Sequence, residues 1–242
     1  MTPPVYIDFL NRFDVEALRL TDTEILEAIT GSLMMHGNSE TSIEPRMHIE
    51  PRAGVDGHFN VLRGWIGGDI DSAGTKVVGD FVNNYKDNLP SEYGILTLFN
   101  PRTGAPKAII DATGITDMRT GAITALGAKY LAPSNSKILA HIGSRGTAYW
   151  NVRLLCSLFD FTEVRIHSKR PESRNAFAKR LEADLQRKIT ITDNWKDCIE
   201  GADIVVEASR LTKPEPLLKT SWIKKGSLVI PYGTMSAIEL NL

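Results

Sequence analysis

The run Ile138-Leu-Ala-His-Ile-Gly143 constrains this 242-residue chain more than any other stretch. An apolar segment of strand length ends there in a turn of mostly small residues, Gly143-Ser144-Arg145-Gly146-Thr147-Ala148, and a helical pattern opens directly behind it. A helix N-terminus presents unpaired N–H groups and the positive end of its dipole, and small residues let a phosphate come close. The alternation then repeats through EVRIHS, PESRNAFAKRLEADL, KITIT, NWKDCIEGA, DIVVEAS and SLVIPYG. Short apolar strands alternating with helices predict a parallel, doubly wound sheet. The expected fold class is therefore α/β, with a Rossmann-type dinucleotide-binding domain over residues 133–242.

The earlier residues follow a different pattern. Residues 21–35 (TDTEILEAITGSLMM) place Ile25, Ala28, Ile29, Leu33 and Met34 at helical spacing behind an acidic, Thr-containing start, which predicts an amphipathic helix. Alternating runs at 46–50, 58–65, 75–81, 94–99 and 107–111 are separated by Gly, Pro, Asn and Asp and predict a mixed, antiparallel-leaning sheet. Between the last two, FNPRTGAP is a turn signature. Residues 116–132 carry Met118, Ala122, Ala125, Leu126 and Tyr130 on one helical face, and Pro133 stops the helix. The domain junction is expected there, with an N-terminal α+β domain over residues 1–132.

Composition narrows the function classes. A formal net charge of −1 without a block of like charge argues against nucleic-acid binding, which needs clustered cations. No window approaches the roughly 18 apolar residues of a membrane span, and MTPPVYIDFL lacks the features of a secretory leader. Cys156 and Cys198 are the two cysteines, so neither a disulfide framework nor a zinc cluster is expected and a reducing cytoplasm fits. Both cysteines read as packing residues. His36, His48, His58, His141 and His167 show no metal-ligand spacing. They read as structural, with His141 the nearest to the expected cofactor. Tyr149 and Trp150 read as core or interface.

In a Rossmann unit the residue closing the second strand reaches the adenosine ribose. An acid there selects NAD, whereas cations and hydroxyls accommodate a 2′-phosphate. Here the strand closes on Ile166-His167-Ser168-Lys169-Arg170, so NADP is expected with NAD open. The plain alternative is a solvated basic turn. Arg145 interrupts the usual G-x-G-x-x-G, and the turn taken alone is a weak motif.

With these segments in view, the chain resembles the ornithine cyclodeaminase and mu-crystallin family. The likeness runs through EPRMHIE, GTKVVGDFVNN, LTLFNPRTGAPKAIIDATGITDMRTGAITALGAKYLAP, HIGSRGTA, EVRIHSKRPESRNAFA and GADIVVEAS. It implies an N-terminal domain that binds substrate and forms a homodimer, completed by a C-terminal segment beyond residue 242. It also implies hydride chemistry at the C–N bond of an amino acid or its imine. Carried over by position, Arg46 clamps the substrate carboxylate, Lys76 faces the reacting nitrogen and acts as the catalytic proton carrier, and Arg119 makes a second carboxylate contact. The expected cofactor contacts are Thr116, Gly143, Ser144, Arg145, Gly146, Thr147, Ala148, Ser168, Lys169, Arg170 and Ser209.

Guanidinium groups bind carboxylates through paired hydrogen bonds, and a lysine buried beside arginines has a lowered pKa suited to proton exchange. As plain alternatives, the arginines serve as salt-bridge partners and the lysine faces solvent. Two departures from the family pattern stand out. Arg145 and Thr147 replace the usual second glycine and glutamine of the turn. The aspartate that cyclodeaminases carry after the last strand aligns near Gly233, where no carboxylate precedes Glu239. This favours an imine reductase or amino-acid dehydrogenase. A cyclodeaminase, and a non-catalytic protein binding NADPH and a small carboxylate, remain the alternatives.

Overall fold

The computed structural model describes residues 4–211, 213–232 and 237–239. Gly233, on which the cyclodeaminase comparison turned, lies outside them. The chain divides into two units, Met1–Arg119 and Thr120–Leu242.

The first unit contains β1 (Asp8–Leu10), α1 (Arg12–Ala17), α2 (Asp22–Gly37), β2 (Thr41–Ile43), β3 (Met47–Ile49), β4 (His58–Ile66), β5 (Ser72–Asp80), β6 (Glu92–Phe99) and β7 (Pro106–Asp111). Its sheet runs β1-β7-β6-β5-β4-β2, and β3 also pairs with β4. All pairings are antiparallel except β1 with β7, so the expected mixed sheet is present. β1, α1 and β2 were not legible in the sequence. The FNPRTGAP turn closes the β6–β7 hairpin, with Asn100 Oδ1 accepting from the amides of Arg102 and Thr103.

α2 starts where its sequence directs. Thr21 accepts from the Glu24 amide while the Glu24 carboxylate accepts from the Thr21 amide, a capping box that satisfies two otherwise orphaned donors. The covered side of α2 differs from the expected face. Ile25 and Leu26 are buried, whereas Leu33 and Met34 are 49% and 65% exposed.

α3 (Thr113–Leu131) begins three residues before the expected start, because the Asp111 carboxylate accepts from the Thr113 amide and so caps the first turn. Ala122, Ala125 and Leu126 are buried as expected, but Tyr130 is 72% exposed.

The remaining elements of the second unit are β8 (Ile138–Ile142), α4 (Ala148–Leu158), β9 (Glu163–His167), α5 (Pro171–Leu185), β10 (Thr190–Ile191), α6 (Trp195–Ile199), β11 (Ile204–Glu207) and β12 (Leu228–Pro231). Their strands form an all-parallel sheet of order β10-β9-β8-β11-β12. This is the first half of a Rossmann arrangement, and the strand order reverses direction between β8 and β11. Alternate residues of β8 show that both faces are covered. Ala140 and Ile142 pack with Cys198 and Ile199 of α6, while His141 faces α4 and α5 through Asn151 and Phe177. A sheet buried on both sides needs strands that are apolar throughout, which explains the runs in β8 and β11. Leu139, Leu154, Leu155, Ile166, Leu181 and Ile204 are fully buried, and each such side chain contributes about 1.5–3 kcal/mol relative to exposure.

Candidate active site

The expected site residues gather in two clusters, one in each unit. In the second unit the turn after β8 lies at the point where the strand order reverses. Gly143 has φ +106°, and a Cβ there would lie 2.5 Å from the Ala208 carbonyl oxygen at the end of β11. A side chain is therefore excluded on both conformational and steric grounds. The Gly143 N–H donates to His167 O at 2.8 Å and the Ala148 N–H to Arg145 O at 3.2 Å. Those two amides are engaged inside the protein. Ser144, Gly146 and Thr147 donate to no backbone carbonyl among the described residues, which leaves their amides in front of the N-terminus of α4.

The Ser144 hydroxyl donates to Ser168 Oγ at 2.9 Å, tying this turn to the one after β9. Lys169 and Arg170 follow Ser168 and are exposed. Ser209 is turned inward, its amide donating to Glu207 Oε1 at 2.8 Å and its hydroxyl to the same oxygen. Glu207 closes β11 and is 1% exposed. Sequence reasoning passed over it, although a carboxylate inside the apolar run IVVE was the available signal.

His141 and Asn151 lie beneath the turn, both fully buried. Nδ1 of His141 lies 3.0 Å from Gly143 O, and Nε2 lies 3.2 Å from the Asn151 amide nitrogen. Burial pushes the imidazole down to about 4, so it is neutral at pH 7. Asn151 was also missed, though it is a lone amide in the apolar stretch AYWNVRLLCSL.

In the first unit, Lys76 of β5 is half-buried and its ammonium donates to Thr116 Oγ1 at 3.1 Å. Thr116 is 6% exposed and donates in turn to Ala112 O at 2.7 Å. The Thr116 hydroxyl thus holds the lysine, a use not read from the sequence. Burial first, then the positive charge of Arg119, lowers Lys76 to about 8, with Glu92 opposing. Arg119 lies one helical turn after Thr116 on α3, half-buried.

Arg46 lies in the link between β2 and β3, exposed, with no hydrogen bond or ion pair to a described residue. It directly precedes Met47, which pairs with Val61, and the next residue of β4, Leu62, pairs with Lys76, so Arg46 adjoins the row of Lys76. Two strand spacings separate it from Lys76, about 10 Å. Three residues, Glu44 to Arg46, stand opposite only Leu62 and Arg63, and Pro45, which has no N–H to lend to the ladder, occupies this edge bulge.

Other singled-out residues are engaged within the fold. Cys198 is buried, its thiol pushed up to about 12 by desolvation, and Cys156 is half-buried and accepts from Arg187. No group of three or more His, Cys, Asp or Glu suited to a metal occurs among the described residues. None of their helices is long and apolar enough to cross a membrane. Tyr149 is buried under the Arg180 guanidinium at 3.7 Å and meets Trp150 edge-on. Glu239 pairs with Lys219 and accepts from the Thr220 amide.

The sequence model of the ornithine cyclodeaminase/mu-crystallin family matches residues 7–237. The nodulation efficiency protein NfeD of Rhizobium meliloti is 30% identical over 225 residues, covering 93% of this chain and 68% of that protein. Ketimine reductase mu-crystallin of Rattus norvegicus is 27% identical over 191 residues, covering 79% of this chain and 59% of that protein. The chain thus spans roughly three fifths to two thirds of the length of these two relatives. Among solved structures, the Thermococcus litoralis Δ1-pyrroline-2-carboxylate reductase in complex with NADH and L-proline superimposes with a TM-score of 0.86 at 28% identity, covering 92% of this chain and 68% of that one.

Proposed function

This chain belongs to the ornithine cyclodeaminase/mu-crystallin family, and from that premise we propose that it is an NADP-dependent oxidoreductase acting on the C–N bond of an amino acid or its imine. The observation that carries the reading is Lys76, held by Thr116 and lowered to about 8 beside Arg119. A solvent-facing lysine has no such partner and keeps its charge far above neutral pH. A group poised near neutral pH exchanges protons effectively in either direction.

The residues of the turn fit a dinucleotide. The uncommitted amides of Ser144, Gly146 and Thr147 before α4 suit a diphosphate, and Ser168 with exposed Lys169 and Arg170 suits a 2′-phosphate. When bound, the reduced nicotinamide supplies a hydride to the imine carbon. Arg46 and Arg119 hold the carboxylate through charge-assisted hydrogen bonds and so fix the adjacent carbon. The Lys76 ammonium donates its proton to the reacting nitrogen in reduction, and the free amine takes it back in oxidation.

We assign the homodimer interface to the opposite face of the first unit's sheet. Met47, Val77 and Ile95 lie in one row across β3, β5 and β6. They are 55%, 39% and 51% exposed, and apolar surface gathered this way marks an association site.

A spectrophotometric screen tests the reading: NADPH oxidation with pyruvate, glyoxylate or oxaloacetate plus ammonia or methylamine, and with cyclic imino acids. At least one of these substrates is expected to turn over, and Lys76→Met is expected to abolish turnover while NADPH affinity is kept. If no imine oxidises NADPH although NADPH binds, the enzyme reading gives way to a binding protein. Ammonia release from ornithine without net cofactor consumption replaces it with a cyclodeaminase.

A further inference from the structure

The turn assigned to the diphosphate is fixed from below by His141 and Asn151, which nothing in the reaction itself requires. A carbonyl oxygen only accepts, so the contact from His141 Nδ1 to Gly143 O at 3.0 Å places the proton on Nδ1. Nε2 then accepts from the Asn151 amide at 3.2 Å. The ring therefore bridges the end of β8 to the first turn of α4. The Gly143 carbonyl is held inward by His141, and the Gly143 N–H is held by His167 O at 2.8 Å.

The Gly143 carbonyl and the Ser144 N–H belong to the same peptide plane, and no peptide among the described residues is cis. In a trans peptide these two groups point in opposite directions. Holding the carbonyl inward turns the Ser144 N–H outward, away from His141.

The pair is also costly. Asn151 Oδ1 is buried and has no hydrogen-bond partner among the described residues, a desolvation cost that an apolar pair of similar size would avoid. Packing alone does not account for it.

We infer that His141, locked by Asn151, is a positioning residue for the dinucleotide diphosphate, aiming the Ser144 amide at it. The inference rests on the cofactor reading given above. It stands on the two hydrogen bonds and the peptide geometry, independently of how the imidazole titrates.

Calorimetry with two probes tests it: NADPH, which carries the diphosphate, and adenosine 2′-monophosphate, which lacks it. His141→Phe and Asn151→Leu are expected to weaken NADPH by about tenfold, the worth of one well-made hydrogen bond, and to leave the mononucleotide unchanged. His141→Asn, whose side-chain amide takes the place of Nδ1 and keeps a donor toward Gly143 O, is expected to retain NADPH affinity. Should His141→Phe fail to fold, Asn151→Ser carries the same expectation. Unchanged NADPH affinity in the folded variants, or an equal loss for both probes, overturns the positioning role while the cofactor reading stands. No heat from the unmodified protein with either NADPH or NADH overturns the cofactor reading and the inference with it.

Discussion

Lys76 concentrates the pH dependence expected of this protein. Its folded value of about 8 lies below the ordinary 10.5 because burial and Arg119 both disfavour the charged form. Below pH 8 the ammonium predominates and above it the free amine. The rate of imine reduction is therefore expected to fall as pH rises through about 8, and the rate of amine oxidation to rise through the same value. Arg119→Met removes one of the two lowering causes, so both limbs should move to higher pH in kcat profiles. An unmoved limb would separate Arg119 from Lys76.

His141 gives a different signal, read in stability. The folded imidazole is held at about 4 against the ordinary 6.5, so between those values the unfolded chain takes up a proton that the folded chain refuses. The stabilisation is complete above about pH 6.5 and is lost progressively as pH falls toward 4, with a slope of at most about 1.4 kcal/mol per pH unit. Urea midpoints measured between pH 7 and 5 are expected to fall, and more steeply than in His141→Phe. The sequence presented His141 as a polar residue in an apolar strand; its pairing with Asn151, ten positions along, had no local signature.

At the scale of elements, close backbone approach decides what the pattern left open. A Cβ on Gly121 would lie 2.6 Å from Trp150 Cβ and 2.7 Å from its carbonyl carbon, so α3 and α4 touch through a glycine. Gly121→Ala forces them apart and is expected to cost about 1–3 kcal/mol, the usual range for overpacking, seen as a lower Tm. A neutral outcome would mean that the contact yields easily. In the proposed reading, the turn between β9 and α5 carries the coenzyme preference. Ser168→Asp with Lys169→Ala and Arg170→Ala places an acid where the 2′-phosphate is expected, and NADPH affinity should fall by tenfold or more relative to NADH, about 1.4 kcal/mol per factor of ten. Equal losses for both coenzymes would refute the assignment. Elements of three residues such as β1 and β2 were invisible in the sequence because so short a run shows no period. α2 was legible, yet its covered face was not, since its last turns leave Leu33 and Met34 exposed.

For the whole molecule, the exposed row Met47, Val77 and Ile95 leads to an expectation about assembly. Light scattering should report a dimer, and Val77→Glu with Ile95→Lys should give a monomer with an unchanged far-UV spectrum, because both side chains are already open to solvent. A monomeric unmodified protein would remove the assignment.

Local order was determined by the sequence. The apolar runs and glycine turns of residues 138–231 suffice for a parallel sheet, because strand and helix periods are properties of neighbouring residues. The candidate phosphate turn was legible by the same local chemistry, since mostly small residues before a helix let backbone amides approach an anion. Tertiary structure alone decided which polar groups remain available to a ligand. Whether an amide of that turn is spent on His167, whether Thr116 holds Lys76, and whether Arg46 adjoins the lysine's row depend on partners 24, 40 and 30 positions away, and such distant hydrogen bonds and strand registers exist only once the chain has closed on itself.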